Sequence, residues 1–333
     1  MKLKFLLLIV LLLILFYSDL VLGSTGYISL IGEQAGGGYK FNEEDFLIIH
    51  QFRMPKAISA LLIGASLSIS GLLMQTIFNN PLAGPYVLGI SSASGLGVAI
   101  VLLAASWIGI NTAVYGAWLV IIAAWFGALL AMLLIIALTR KLTDSIALLI
   151  LGMLLGSAAT AIVNILQFFA GEAMVKAYLV WTMGNLGGIT PDNLKYMGPI
   201  LLSAIAFPFL LTRSLNAYLA GQEFARSVGV NSTRVKISAL LASSILAGTV
   251  TAFSGPIGFV GIAVPHIARL IFKTADHYIL LPACILIGAS LLLVSDVISQ
   301  MPGSGYIIPI NSVTSIIGIP VIIYLILKVR RIF

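Results

Sequence analysis

Apolar runs of membrane-crossing length recur along the whole of this 333-residue chain and leave no stretch free to build a soluble core. The first, LLLIVLLLILF at residues 6–16, continues apolar as far as Leu22. A helix needs roughly 20 apolar residues to cross a hydrocarbon core about 30 Å thick. Ten segments approach that length: 5–22, 57–77, 87–106, 113–138, 146–169, 196–212, 237–253, 257–272, 278–297 and 306–327. Only 9% of the residues are charged and the mean hydropathy is +1.12, whereas a soluble domain carries about 25% charged residues. Such a chain cannot cover a core with polar surface, so its solvent is largely lipid. The expected fold is all-α: one polytopic membrane domain over residues 1–333 with about ten transmembrane helices.

Composition also excludes some chemistry. Cys284 is the single cysteine and lies in an apolar run, so neither a disulfide framework nor a cysteine metal site is available. His50, His266 and His277 fall on different segments, without metal-ligand spacing. No metal site, catalytic constellation or nucleic-acid partner is expected.

The formal charge of +7 is read through topology. With the N-terminus inside and the spans alternating, the inner side holds Lys2, Lys4, Arg140, Lys141, Arg213, Arg226, Arg234, Lys236, Arg269, Lys273, Lys328, Arg330 and Arg331. The outer side holds Lys40, Arg53, Lys56, Lys176 and Lys195. The positive-inside rule favours this orientation, with both termini cytoplasmic. MKLK, the apolar run and VLGS also fit a cleaved signal peptide. The length of the run and the lack of a soluble segment after it favour a retained span.

Polar residues in the spans suggest a pathway. Ser157, Thr160, Asn164 and Gln167 fall on one face of a helix, and Ser68, Gly71 and Gln75 form a shorter stripe in the second span. Polar groups in hydrocarbon face a bundle interior or a wet cavity, or they bond between helices. Gly152 and Gly156, and Ser244, Gly248 and Ala252, have the four-residue spacing of close helix contact.

SGPIGFVGIAVPHIARLIF, residues 254–272, places Pro256, Pro265, three glycines, His266 and Arg269 in an oily stretch. A proline at depth frees a carbonyl that needs another donor. His266 is expected to supply one as a neutral ring. Arg269 is expected to snorkel to the inner surface.

The segment GPIGFVGIAVPHIARL (255–270) resembles the signature of the permease subunits of ABC importers for iron–siderophore complexes, haem and cobalamin. So do FRMPKAISALLIGASLSISGLLMQTIFNNPLAGPYVLGISSASGLG (52–97), WTMGNLGG (181–188), ARSVGV (225–230), LLPACILIGASLLLVSDVISQ (280–300) and SIIGIPVIIYLILK (315–328), which occur in the family's order and cover residues 50–330. In that signature Gly255, Pro256, Gly258, Gly261, Pro265, His266 and Arg269 are the matching positions.

The resemblance implies a permease in the bacterial cytoplasmic membrane, paired with a second copy of itself. It also implies two cytoplasmic ATPase subunits and a periplasmic or lipid-anchored binding protein. The implied substrate is an iron complex (ferric siderophore or haem) or cobalamin, with iron favoured. The chain has no Gly-Lys pair and hence no phosphate-binding loop, so ATP belongs to the partner and no cofactor is expected here.

The resemblance also assigns parts. Within the inner loop 213–236, Glu223, Ala225, Ser227 and Gly229 would couple to the ATPase; Thr143, Asp144 and Ser145 would form an inner gate; Arg53 and Lys56 would dock the binding protein. Two outer features depart from the family: Ile307-Ile308-Pro309-Ile310-Asn311 lacks the usual glutamate and glycine, and Gln300 replaces a frequent basic residue. The alternative from another class is an ion-coupled secondary transporter. Such carriers place ionisable residues inside their spans; here spans 2, 4, 5 and 7 hold no deep acid, and Asp296 sits near an outer end, within reach of water.

Overall fold

The computed structural model describes residues 1–23, 26–27, 33–35, 38–40, 43–104, 112–139 and 145–329. Helix α1 (Lys2–Val21) leads into two short antiparallel ladders, β1 (Leu22–Gly23) with β2 (Gly26–Tyr27) and β3 (Glu33–Ala35) with β4 (Gly38–Lys40). Helix α2 (Glu43–Ile48) runs through a π-helical turn, Ile49–Arg53, into α3 (Met54–Ile77). Then come α4 (Ile90–Leu103), α5 (Thr112–Thr139), α6 (Ser145–Phe169), α7 (Glu172–Thr182) and α8 (Pro191–Leu210). Two short helices, α9 (Thr212–Leu219) and α10 (Gln222–Ser227), precede α11 (Ser232–Ser254), α12 (Val260–Phe272), α13 (His277–Ser299) and α14 (Ile310–Val329).

Among the described residues, seven helices have the length and apolarity of a span: α1, α3, α5, α6, α8, α11 and α13. Three shorter apolar helices lie within α4, α12 and α14. Together they account for the ten expected segments. At 1.5 Å per residue α4 and α12 are only about 20 Å long, well short of the hydrocarbon core. Both are short because irregular backbone completes their crossings.

Helix α3 is the axis of the bundle. It packs against α8, α11, α12 and α13, and 83% of its apolar window is buried, against 17% for α1. Small residues permit this crowding. A methyl group on Gly71 would overlap Gly261 O of α12, and one on Gly64 would overlap Gly288 O of α13. Backbones then touch directly, and dispersion replaces the hydrophobic drive that lipid cannot supply.

Helix α1 is held by its two ends. Lys4 Nζ donates to Ile271 O at 2.6 Å, and the Phe5 and Phe272 rings pack 4.6 Å apart. These contacts define a near end, where α1 starts and α12 finishes. At the far end Asp19, fully buried, accepts from Gln300 Nε2 at 2.9 Å.

The segment 78–89 answers the question raised by the glycines and prolines. It turns at Asn79 (φ 44°) and runs back into the bundle beside α12. His266 Nε2 donates to Pro81 O at 2.7 Å, and Ile257 N donates to the Tyr86 hydroxyl at 3.3 Å. The segment ends in a 3-10 turn, Pro85–Leu88, and at Gly89 (φ 73°), whose backbone lies against Gly152 and Gly156. Across from it, Gly258 N donates to Asn311 Oδ1 at 2.9 Å and Asn185 N to Ser254 O at 2.8 Å. Non-helical backbone at membrane depth requires such partners. Asn311, one of the family departures, is thereby part of the scaffold.

Candidate functional site

The 78–89 segment and α6 form a groove of about 610 Å³. Its walls include Tyr86, Val87 and Ser92 on one side and Ser157, Thr160 and Asn164 on the other. Gly89, Gly152 and Gly156 let the two walls meet at its base. Ser157 Oγ donates to Met153 O at 3.0 Å and Thr160 Oγ1 to Gly156 O at 2.9 Å. Their oxygens therefore remain available as acceptors in the groove. Ser157, Thr160 and Asn164 are exposed on this single chain, and Gln167, half-buried, lies a turn further along the face.

A second cavity of about 180 Å³ continues from the first through the shared Ser92 and Thr160. Its other walls include Tyr178, Trp181 and Thr182 of α7, and Pro256. Among the described residues, no acid, lysine, arginine or histidine lines either cavity. Helix α7 is absent from the ten-segment reading because its eleven residues carry Glu172 and Lys176 and are too few to span. The sequence signals for it were the WTMGNLGG stretch, which begins at Trp181, and the spacing of Tyr178 and Trp181, three apart on one helical face.

The second-span stripe is elsewhere. Ser68 is fully buried and donates to Cys284 O at 2.8 Å; Gln75 is 4% exposed and bonds to Ile262 O and to Arg269. Both tie α3 to α12 and α13, and neither reaches the groove. Arg269, half-buried, donates from Nη1 to Gln75 Oε1 at 2.5 Å and is thereby tied to α3.

Arg53 and Lys56 are also placed differently from the expectation of an exposed docking pair. Arg53, 4% exposed, donates to Leu20 O and Val21 O at 3.0 and 2.6 Å. Lys56 Nζ forms an ion pair with Asp296 Oδ2 at 3.0 Å, with both side chains buried. Gln300 Nε2 bridges Asp19 and Asp296. Asp296 is thus a buried partner and does not reach water. The charges at this end stitch α1, α3 and α13 together, and desolvation makes that pairing necessary.

Thr143 and Asp144 lie outside the described residues, and Ser145 begins α6. In the 213–236 segment, Ala225 is fully buried while Phe224 and Val228 are about half exposed. Glu223 and Arg226 pair at 3.0 Å on the surface, and Ser227 Oγ donates to Phe224 O. Gly229 closes α10 with φ 83° and nothing within 4 Å of where a side chain would start. In the signature, Gly255 has φ 72° and packs on Trp181 O and Gly184, while Pro265 sits within α12. His266 donates to a carbonyl, as expected, but to Pro81 O of the 78–89 segment and not to the one that Pro265 frees in its own helix.

The model of the FecCD transport family matches residues 6–328. The chain belongs to the FecCD transport family. Relatives of this FecCD chain include the vitamin B12 import system permease protein BtuC of Klebsiella pneumoniae, 35% identical over 85% of this chain and 83% of the relative. A protein of Methanocaldococcus jannaschii named as an ABC transporter permease is 31% identical over 97% and 94%. A solved metal-chelate type ABC transporter, in an inward-facing conformation, superposes with a TM-score of 0.86 at 26% identity, covering 98% of this chain and all of that one. This FecCD chain is therefore a multi-pass membrane permease subunit with the ABC importer fold, and ATP hydrolysis lies in a partner subunit. That places it outside the class of stand-alone ion-coupled carriers.

Proposed function

We propose that this permease passes a bulky metal chelate, either cobalamin or an iron complex such as a ferric siderophore or haem, along the groove between α6 and the 78–89 segment. The observation that carries the reading is the lining: hydroxyl, amide and glycine surfaces among apolar ones such as Val87, Met153 and Trp181, with no carboxylate, lysine, arginine or histidine among the described residues. Such walls hydrogen-bond weakly to many faces of a large ligand and trap none, which suits a cargo handed over by a binding protein. The B12 permease relatives and the metal-chelate structural neighbour support the same substrate class.

The groove is open on this chain, and α6 packs chiefly on α4 and the 85–88 turn. A second copy facing it would close the pathway, with Ser157, Thr160, Asn164 and Gln167 from each copy around it. The connection carrying Thr143, Asp144 and Ser145 would form the inner gate. Segment 213–236 would meet the ATPase through Phe224 of α10 and Val228 just after it, both exposed and apolar. The binding protein would approach the far end.

The test is uptake of labelled cyanocobalamin, ferric siderophore and haem by cells expressing the chain with its ATPase and binding protein. Accumulation of at least one, abolished by an inactive ATPase, is expected. In a Cys284→Ala background, cysteines at Ser157, Thr160 and Asn164 should react with a hydrophilic maleimide in nucleotide-free or vanadate-trapped complexes. No uptake of any of the three, or protection of all three cysteines in both states, overturns the reading.

A further inference from the structure

The segment assigned to the ATPase contact is anchored to the bundle by a chain of hydrogen bonds through Asn216. This half-buried residue of α9 donates from Nδ2 to Asp276 Oδ1 at 2.6 Å. That bond fixes the orientation of the amide, so Oδ1 is the atom that accepts from His277, from its backbone N at 2.9 Å and from its Nδ1 at 2.8 Å. His277 is 1% exposed, and its Nε2 lies 2.9 Å from Thr76 Oγ1 in the last turn of α3. Thr76 Oγ1 also lies 2.8 Å from Leu72 O.

Proton counting makes this chain directional. A threonine hydroxyl carries one proton, and a neutral imidazole carries one on either nitrogen. With Nδ1–H committed to Asn216, Nε2 of the neutral ring accepts the Thr76 proton, and the Leu72 carbonyl gives up its claim. Displacing Asn216 frees His277 to turn and returns the Thr76 hydroxyl to its own helix. Two hydrogen-bonding arrangements are thus open to the end of α3, one with Asn216 in place and one without it.

Its position gives the joint a use. Helix α9 runs directly into α10 through Ala220 and Gly221, and its Leu215 and Tyr218 are buried against the bundle, so a push on α10 reaches Asn216. On the other side, Thr76 is followed within a few residues by the 78–89 segment, which supplies Tyr86, Val87 and Gly89 to the groove. Asn80 N bonds back to Gln75 O at 3.2 Å, joining that segment to the same last turn. The direct link from α10 to α11, Ser232 Oγ to Gln222 O, is longer at 3.3 Å and leads away from the groove wall.

We propose that Asn216, acting through His277 and Thr76, is a positioning residue that transmits movement of the α9–α10 segment to the groove. The proposal rests on the reading that segment 213–236 meets the ATPase. Coupling of this kind requires a demonstrated two-state element rather than proximity alone, so the test reads the groove while perturbing the joint.

The full complex with its ATPase subunit carries Ser157→Cys as a maleimide reporter in the Cys284→Ala background. Its labelling rate is compared between nucleotide-free and vanadate-trapped states. The unperturbed joint should give two different rates. Asn216→Leu should keep the ATPase subunit bound and hydrolysing ATP, yet abolish the difference in rate. The reciprocal pair Asn216→Asp with Asp276→Asn rebuilds one amide–carboxylate bond and keeps an acceptor for His277, so it should restore the difference. A full difference in Asn216→Leu, no recovery in the reciprocal pair, or loss of the ATPase subunit from Asn216→Leu each overturns the relay; the last makes Asn216 an assembly anchor. The underlying reading is checked separately: if Phe224→Asp leaves ATPase attachment unchanged, segment 213–236 is not the contact, and the relay falls with it.

Discussion

Lys56 and Arg53 illustrate what a charge near the end of a span does when the chain folds. In one dimension each has two possible homes, water or a partner on another helix. The sequence contains both options, and the pattern of apolar runs favours the first. The partner Asp296 is 240 positions away and the carbonyls of Leu20 and Val21 more than 30 positions before Arg53, so no local spacing reveals them. His266 was half legible: Pro265 in the same run announces a need for a donor, but the carbonyl it serves, Pro81 O, is 185 positions away and was not foreseeable. The structure turns the far-end pair into a stability prediction. Lys56→Met leaves Asp296 buried beside Asp19 without its cation, and breaking a buried pair costs about 3–5 kcal/mol. Thermal unfolding in detergent should show a clear loss that depends little on salt, since both partners are largely removed from solvent. A loss that disappears at high salt would mean the pair is exposed. Gly229 is a contrasting residue. Nothing stands near it, so a side chain there meets backbone strain rather than a clash; αL conformation costs a non-glycine residue roughly 1–2 kcal/mol. Gly229→Val should weaken ATPase attachment while Gly229→Asn, which tolerates this conformation, retains most of it. Equal co-purification of the ATPase with both variants would remove backbone conformation from the explanation.

At the scale of elements, hydropathy located ten spans but could not show where α4 and α12 begin. Each continues a non-helical segment that is nearly as apolar as a helix, because lipid-depth backbone is satisfied by other residues' side chains rather than by its own polarity. The run 87–106 read as one helix is in fact a 3-10 turn, a left-handed Gly89 and the helix Ile90–Leu103. The groove was half legible for the same reason. The α6 stripe announced itself by helical period, whereas Tyr86 and Val87 are ordinary apolar residues until the 78–89 segment folds back beside it. That segment depends on the bond from His266 to Pro81 O. His266→Leu removes the donor to the part-buried Pro81 carbonyl, and losing a hydrogen bond of this kind costs about 0.5–1.5 kcal/mol. His266→Gln can still donate and should recover part of the loss. Melting temperatures measured side by side decide the point, and equal destabilisation by both substitutions would show that ring packing, not the donated proton, holds the turn.

At the scale of the whole molecule, the ten crossings must alternate, and the two shortest helices carry the risk. If α12, at about 20 Å, entered and left by the same side, everything after it would be inverted relative to a simple count. The packing argues that it crosses. Its C-terminal end meets the start of α1 through Lys4 and Phe5, while the backbone just before its N-terminal end is tied to Asn311 at the start of α14 and to Tyr86. Helix α13 then returns from His277, beside α9, to Gln300, beside Asp19. The near end therefore holds the start of α1, α9, α10 and the end of α12, and the sequence places most of the lysines and arginines on that side. The positive-inside rule counts those residues irrespective of acidic partners, so the near end should face the cytoplasm. A phosphatase that gains activity only where its disulfides can form reports the side directly. Fused after Gly188 or Ser304 it should be active; fused after Ala220 or Val329 it should be silent. Activity at Ala220 with silence at Gly188 would invert the whole molecule, whereas silence at Ser304 with activity at Gly188 would show that α12 fails to cross.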